Sequence, residues 1–143
     1  MAATVDGKIT AGLLEHFKTF TLPSGMTHGA NVAEPGINYT PVAGVAYVSL
    51  EVHHNTPTPV GISMEDDPIR RGFLRANVCW PNGKGIVKAT DLASQIADHF
   101  GRGSKISFDG TTIWIIEEPE LAGDIQGTSH FSIPVTVRWQ VFP

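Results

Sequence analysis

The sequence has a single cysteine, few charges, no basic excess and no long apolar run, and each scarcity removes a class of protein. A lone thiol, Cys79, has no internal disulfide partner, so nothing in the chain calls for an oxidising compartment. Charged residues make up 17%, below the roughly 25% of an average soluble protein. Ten Lys and Arg against 14 Asp and Glu leave a formal net charge of -4. That balance argues against a protein that grips nucleic acid by its phosphates, which needs clustered cations. No stretch approaches the roughly 20 consecutive apolar residues that span a bilayer. The start, Met1 to Lys8, lacks the basic-then-apolar order of a signal peptide. The expectation is a soluble protein with no membrane partner, made in the cytoplasm.

What is present is enough for one core. At 143 residues and 41% hydrophobic content, the chain is expected to form a single domain over residues 1–143. Ile9, Leu13, Leu14, Phe17 and Phe20 share one side of an amphipathic helix over Val5 to Thr19, capped by Thr4 or Asp6. Gly7 and Gly12 each weaken that helix by about 1 kcal/mol, so packing has to hold it. Leu22 to Gly44 carries repeated Pro and Gly and no period. It reads as a long ordered loop of the kind that contacts partners.

Val45 to His54 alternates strictly, with Ala46, Val48, Leu50 and Val52 opposite Tyr47, Ser49, Glu51 and His53. Arg71 to Trp80 repeats the pattern and is expected to pair with it antiparallel. The segment between, Asn55 to Arg70, is too long for a tight turn and predicts an extended arm beyond the core. After a turn at Pro81-Asn82-Gly83, the residues Ile86, Ala89, Leu92, Ala93, Ile96, Ala97 and Phe100 define a second helix ending at Gly101. Lys105 to Phe108 and Thr111 to Glu117 flank Asp109-Gly110, the signature of a type I′ hairpin. The last strand places Phe131, Ile133, Val135, Val137, Trp139 and Val141 on one face. Its Pro134 predicts a sheet edge or a bulge, because proline has no N–H for the ladder. The order α-β-β-α-β-β-β predicts an α+β fold, a mainly antiparallel sheet with two helices packed on it.

Chemistry is sparse. His53-His54 beside Glu51, with Cys79 on the neighbouring strand, invites a metal site, but adjacent strand residues point to opposite faces, and only His53 shares a face with Glu51. No metal-ligand spacing supports the trio, and Cys79 has no base assigned to it. His16, His28, His99 and His130 read as isolated residues of a polar helix face or loop. Glu65-Asp66-Asp67 and Glu117, Glu118 and Glu120 lack a cation-loop pattern and read as solvated or partner-facing charge. Gly83-Lys84-Gly85 matches no phosphate-binding motif. Trp80, Trp114 and Trp139, without a basic groove, read as core or interface aromatics. No catalytic, cofactor-binding or metal residues are assigned, and the chain reads as a part of an assembly rather than an enzyme.

Several segments together resemble the tail terminator, or tail completion, proteins of long-tailed bacteriophages. The likeness runs from the N-terminal helix through Ala30-Asn31-Val32, Asn38-Tyr39-Thr40-Pro41 and Ala46-Tyr47-Val48-Ser49-Leu50-Glu51-Val52. It continues through Arg71-Gly72-Phe73-Leu74-Arg75-Ala76-Asn77-Val78-Cys79-Trp80-Pro81 and ends in Phe131 to Trp139, internal proline included. The resemblance implies a virion protein that forms a hexameric ring on the head-proximal end of the tail tube. Such a ring stops tube polymerisation and meets a neck or head-completion protein, with DNA only as cargo in its lumen. It implies no cofactor and no catalytic residue.

A head-to-tail ring needs two different patches on each subunit. The long loop and the arm are the features available, with Glu65, Asp66 and Asp67 meeting a neighbour's equivalents of Arg70 and Arg71 as a candidate contact. Another ring-forming neck or tail-tube protein, or a small metal- or ligand-binding domain, stands as the alternative.

Overall fold

The computed structural model describes residues 4–62 and 67–142. The chain runs α1 (Val5–Lys18), β1 (Val32–Ala33), β2 (Tyr47–His54), β3 (Arg70–Pro81), α2 (Val87–His99), β4 (Lys105–Phe108), β5 (Thr111–Ile115), β6 (Glu120–Leu121), β7 (Ile125–Gln126) and β8 (His130–Val141). The sheet order is β1-β2-β3-β8-β5-β4, with β6 and β7 also pairing with β8. Every pairing is antiparallel except β1 with β2. This is the expected α+β architecture, two helices on a mostly antiparallel sheet.

The two long strands form its spine. β3 and β8 pair without interruption from Arg70↔Val141 to Pro81↔His130. Leu74, Ala76, Val78, Val135, Val137 and Trp139 on one face are all fully buried. Against that face α2 sets Ala89, Leu92, Ala93 and Ile96, the alanines letting the helix come close. α1 lies over the β4–β5 hairpin and buries Ile9, Leu13 and Phe17. Its Gly12 is a point of close approach, because a Cβ there would stand 3.0 Å from both Ile113 Cδ1 and Phe108 Cβ. The Thr4 hydroxyl caps the helix by accepting from Gly7 N at 3.1 Å.

The type I′ turn forms at Asp109-Gly110, both with positive φ (46° and 81°). Elsewhere the structure adds elements that no periodicity marked. The long loop contains β1, and the stretch after β5 contains β6 and β7, each too short to show a period of two. α2 ends at His99, with Phe100 as its cap. The left-handed glycine that follows is Gly103 rather than Gly101.

Pro134 lies in neither an edge strand nor a bulged one. β8 is central, and the interruption falls on its neighbour, where residues 122–124 stand opposite the pair Ile133 and Pro134 between β6 and β7. Pro134 O still accepts from Ala122 N at 3.0 Å, so the missing N–H falls at this break in the ladder.

Candidate assembly surfaces

The arm is a continuation of the β2–β3 hairpin. Asn55 N donates to Arg71 O at 2.8 Å, and Thr58 and Ile69 exchange both backbone bonds at 2.9 Å. Beyond that bridge the chain exposes apolar side chains, Val60 at 53% and Ile62 at 106%. The base is tied to α1: Arg70 Nη1 donates to Asp6 Oδ1 at 3.0 Å, and His54 Nδ1 lies 3.7 Å from the same carboxylate.

Of the five residues expected to form a subunit contact, Glu65 and Asp66 lie outside the described residues. Asp67 and Arg71 are exposed. Arg70 is half-buried on Asp6 of its own chain. Asp67, Pro68 and Arg70 line a cavity of about 560 Å³ shared with Lys105, Trp114 and Phe142.

The loop from Leu22 to Gly44 is fixed by Asn31, which is 6% exposed. Its amide donates to Ala46 O at 2.8 Å and its carbonyl oxygen accepts from Thr27 N at 3.0 Å. Tyr39 donates to Ala30 O at 3.0 Å and packs on Tyr47 with ring centroids 5.0 Å apart. Tyr47 in turn meets His130 at 5.4 Å. Burial, with a hydrogen bond to Cys79, pushes the Tyr47 hydroxyl up to about 12. The loop leaves Ile37 and Val42 exposed, at 63% and 57%.

A second apolar surface was hidden in the helix pattern. Ile86 is the N-cap of α2 rather than a core position, and it and Val87 are 43% and 79% exposed. With Ala46, Trp80 and Pro81 they wall a groove of about 460 Å³ at the far end of β2 and β3 from the arm. The signal that separates Ile86 from the buried positions is its place next to Gly85, whose φ of 80° ends the turn.

Of the residues that invited chemistry, Glu51 and His53 are neighbours and Cys79 is held apart from both. Cys79 stands opposite Tyr47, and Phe73 stands opposite His53, so the thiol lies six positions along the ladder from His53, roughly 20 Å. Cys79 is 8% exposed and its Sγ donates to Asn77 O at 3.6 Å. Burial raises its pKa above that of a free thiol, which leaves a poor nucleophile. Glu51 accepts from Asn77 Nδ2 at 2.8 Å and lies 3.3 Å from His53 Nε2. The Asn77 bond is the main reason its carboxyl is held below the usual range.

His53 stacks on Phe73 at 4.5 Å, whereas His54 turns to the other face and meets Trp139 edge-on at 5.2 Å. Among the described residues no three His, Cys, Asp or Glu side chains converge on one point. Arg138 Nη1 lies 3.8 Å from Glu117 and 3.6 Å from Glu120, all three exposed enough to remain solvated.

Two histidines that read as isolated are partners. His16 near the end of α1 and His99 at the end of α2 stack with centroids 4.3 Å apart. Each donates from Nε2 to the other's backbone carbonyl, at 3.0 Å from His16 and 2.8 Å from His99. The pair joins the two helices by capping each other's C-terminal carbonyls. Position near a helix C-terminus was the available signal, but nothing in the sequence brings the two ends together.

Apolar side chains thus stand exposed on the arm, on the long loop and at the start of α2. Residues 8–139 match the model of a family described as phage tail terminator protein. The chain belongs to the phage tail terminator family. It is a structural component of a virion tail and not an enzyme. Among solved structures, one chain matches this terminator with a TM-score of 0.78 at 19% identity over 99% of both chains. Another, from the virion of a native gene transfer agent particle, matches with a TM-score of 0.64 at 14% identity over 98% of both. At these identities the likeness is one of fold. No curated protein matches the sequence.

Proposed function

We propose that this terminator assembles into a hexameric ring on the head-proximal end of the tail tube. There it stops tube polymerisation and joins the tail to a neck or head-completion protein. The family match over residues 8–139 carries the reading. Made in the host cytoplasm and folded as one domain, each subunit meets its neighbours through the arm and the long loop, with Glu65, Asp66, Asp67, Arg70 and Arg71 as the arm's charged set.

Two exposed features at different places on the subunit favour head-to-tail contacts, which close into a ring, over a two-fold dimer that reuses one patch. The net charge of -4 suits a lumen through which DNA passes without adhering. Particles made without the protein test the reading. Tails of uncontrolled length that fail to join heads are expected, whereas tails of normal length joined to heads would contradict it.

A further inference from the structure

The arm and the groove lie at opposite ends of the same two strands. The arm leaves from the His54 end of β2 and the Arg70 end of β3; the groove is walled by Ala46 just ahead of β2 and by Trp80 and Pro81 at the close of β3. The twelve residues of β3 separate them by roughly 35 Å. A subunit cannot reach its own groove with its own arm. The cavity beside the arm is no alternative seat, because the arm's own Asp67, Pro68 and Arg70 already form its wall.

The two features also match in chemistry. The arm carries Val60 and Ile62 in water, and the groove carries Ile86 and Val87 in water. Lys84 and Lys88 rim the groove, and neither pairs with a carboxylate among the described residues. Asp67 on the arm is exposed.

We propose that the arm of one subunit seats Val60 and Ile62 in the groove of the next copy, against Trp80, Pro81, Ile86 and Val87, with Asp67 facing Lys84 and Lys88. Because the arm's Val60, Ile62 and Asp67 and the groove are different surfaces of one chain, the contact is heterologous and repeats in one direction, which is the requirement for a ring rather than a closed pair. Apolar burial supplies the attraction, and the opposite charges set the register of the arm in the groove. The inference rests on the ring reading and names the surfaces that make it.

Cross-linking in trans tests it. Ile62→Cys and Val87→Cys are made as separate full-length proteins, each checked by circular dichroism for the wild-type fold, and mixed in the presence of tail tubes with a short bismaleimide. The buried Cys79 serves as the unreactive control in wild-type protein. The expected result is a covalent dimer in the mixture, absent from either variant alone, and a ladder up to the ring in the double variant.

Rings seen by electron microscopy without that cross-link, with Val60→Cys failing as well, would overturn the arm-in-groove contact and leave the ring standing. A protein that stays monomeric even beside tubes would overturn both. Reversing the rim with Lys84→Glu and Lys88→Glu is expected to abolish rings, and adding Asp67→Lys to restore them. Rings unaffected by the reversal would overturn the charge pairing.

Discussion

Gly72 stands directly opposite Trp139 across the β3–β8 ladder, and the indole fills the space that any side chain at position 72 would need. A Cβ there would lie 2.5 Å from Trp139 Cζ2 and collide with the backbone carbonyl of His53. Backbone cannot yield as a flexible side chain can, and Trp139 is itself fully buried among the core residues. Gly72→Ala is therefore expected to cost at least the roughly 1–3 kcal/mol typical of overpacking. Urea unfolding of the purified variant checks this, and an unchanged midpoint would show that the strands separate more easily than their packing indicates.

The His16–His99 stack makes stability depend on pH in a defined direction. Burial holds His16 below its ordinary 6.5, against the raising effect of its bond to His99 O, and the neighbouring His99 charge lowers it further. A group that is harder to protonate when folded binds more protons when unfolded. Its contribution is present above about pH 6.5 and is lost as pH falls through the lowered folded value. Urea midpoints should hold steady from pH 8 to 7 and drop below about 6.5, with a shallower drop in His16→Gln.

Cys79 should behave as a core residue towards thiol reagents. Burial raises its pKa, while the Tyr47 hydroxyl bond works against that rise. At pH 8 its modification in native protein is expected to be at least about tenfold slower than that of unfolded protein, and slower still in Tyr47→Phe. Equal rates in native and unfolded protein would contradict the placement.

The Asp6–Arg70 pair anchors the arm more than it stabilises the fold. Both side chains are partly exposed, 57% and 25%, so Asp6→Asn should cost no more than about 1 kcal/mol. Amide exchange across residues 55–62 should nonetheless quicken relative to β3, because the base of the arm loses its tie to α1. Equal acceleration in β3 would mean that the pair supports the whole sheet.

Periodic elements were legible in the sequence and brief ones were not. β8 shows six alternating core residues from Phe131 to Val141, and the Asp109-Gly110 turn declares its geometry through residue type alone. β1, β6 and β7 have two residues each; β1 adds to the outer side of β2, and β6 and β7 to the stretch of β8 that the short β5 leaves unpaired, a tertiary cause that no local pattern records.

The same limit explains the surfaces. The arm could be inferred from its length and its prolines, but the exposure of Ile86 and Val87 depends on where α2 begins, one residue after a cap that the helical spacing includes as core. His16 and His99 are separated by 83 residues, and only the packed helices make them neighbours.

Position in the particle tests the central claim most directly. Cryo-electron microscopy of the intact virion, with this fold fitted into the map, should place the chain once per tail, in a single six-membered ring at the end of the tube nearest the head. A chain that recurs in every ring along the tube, or that is missing from that end, would contradict the account.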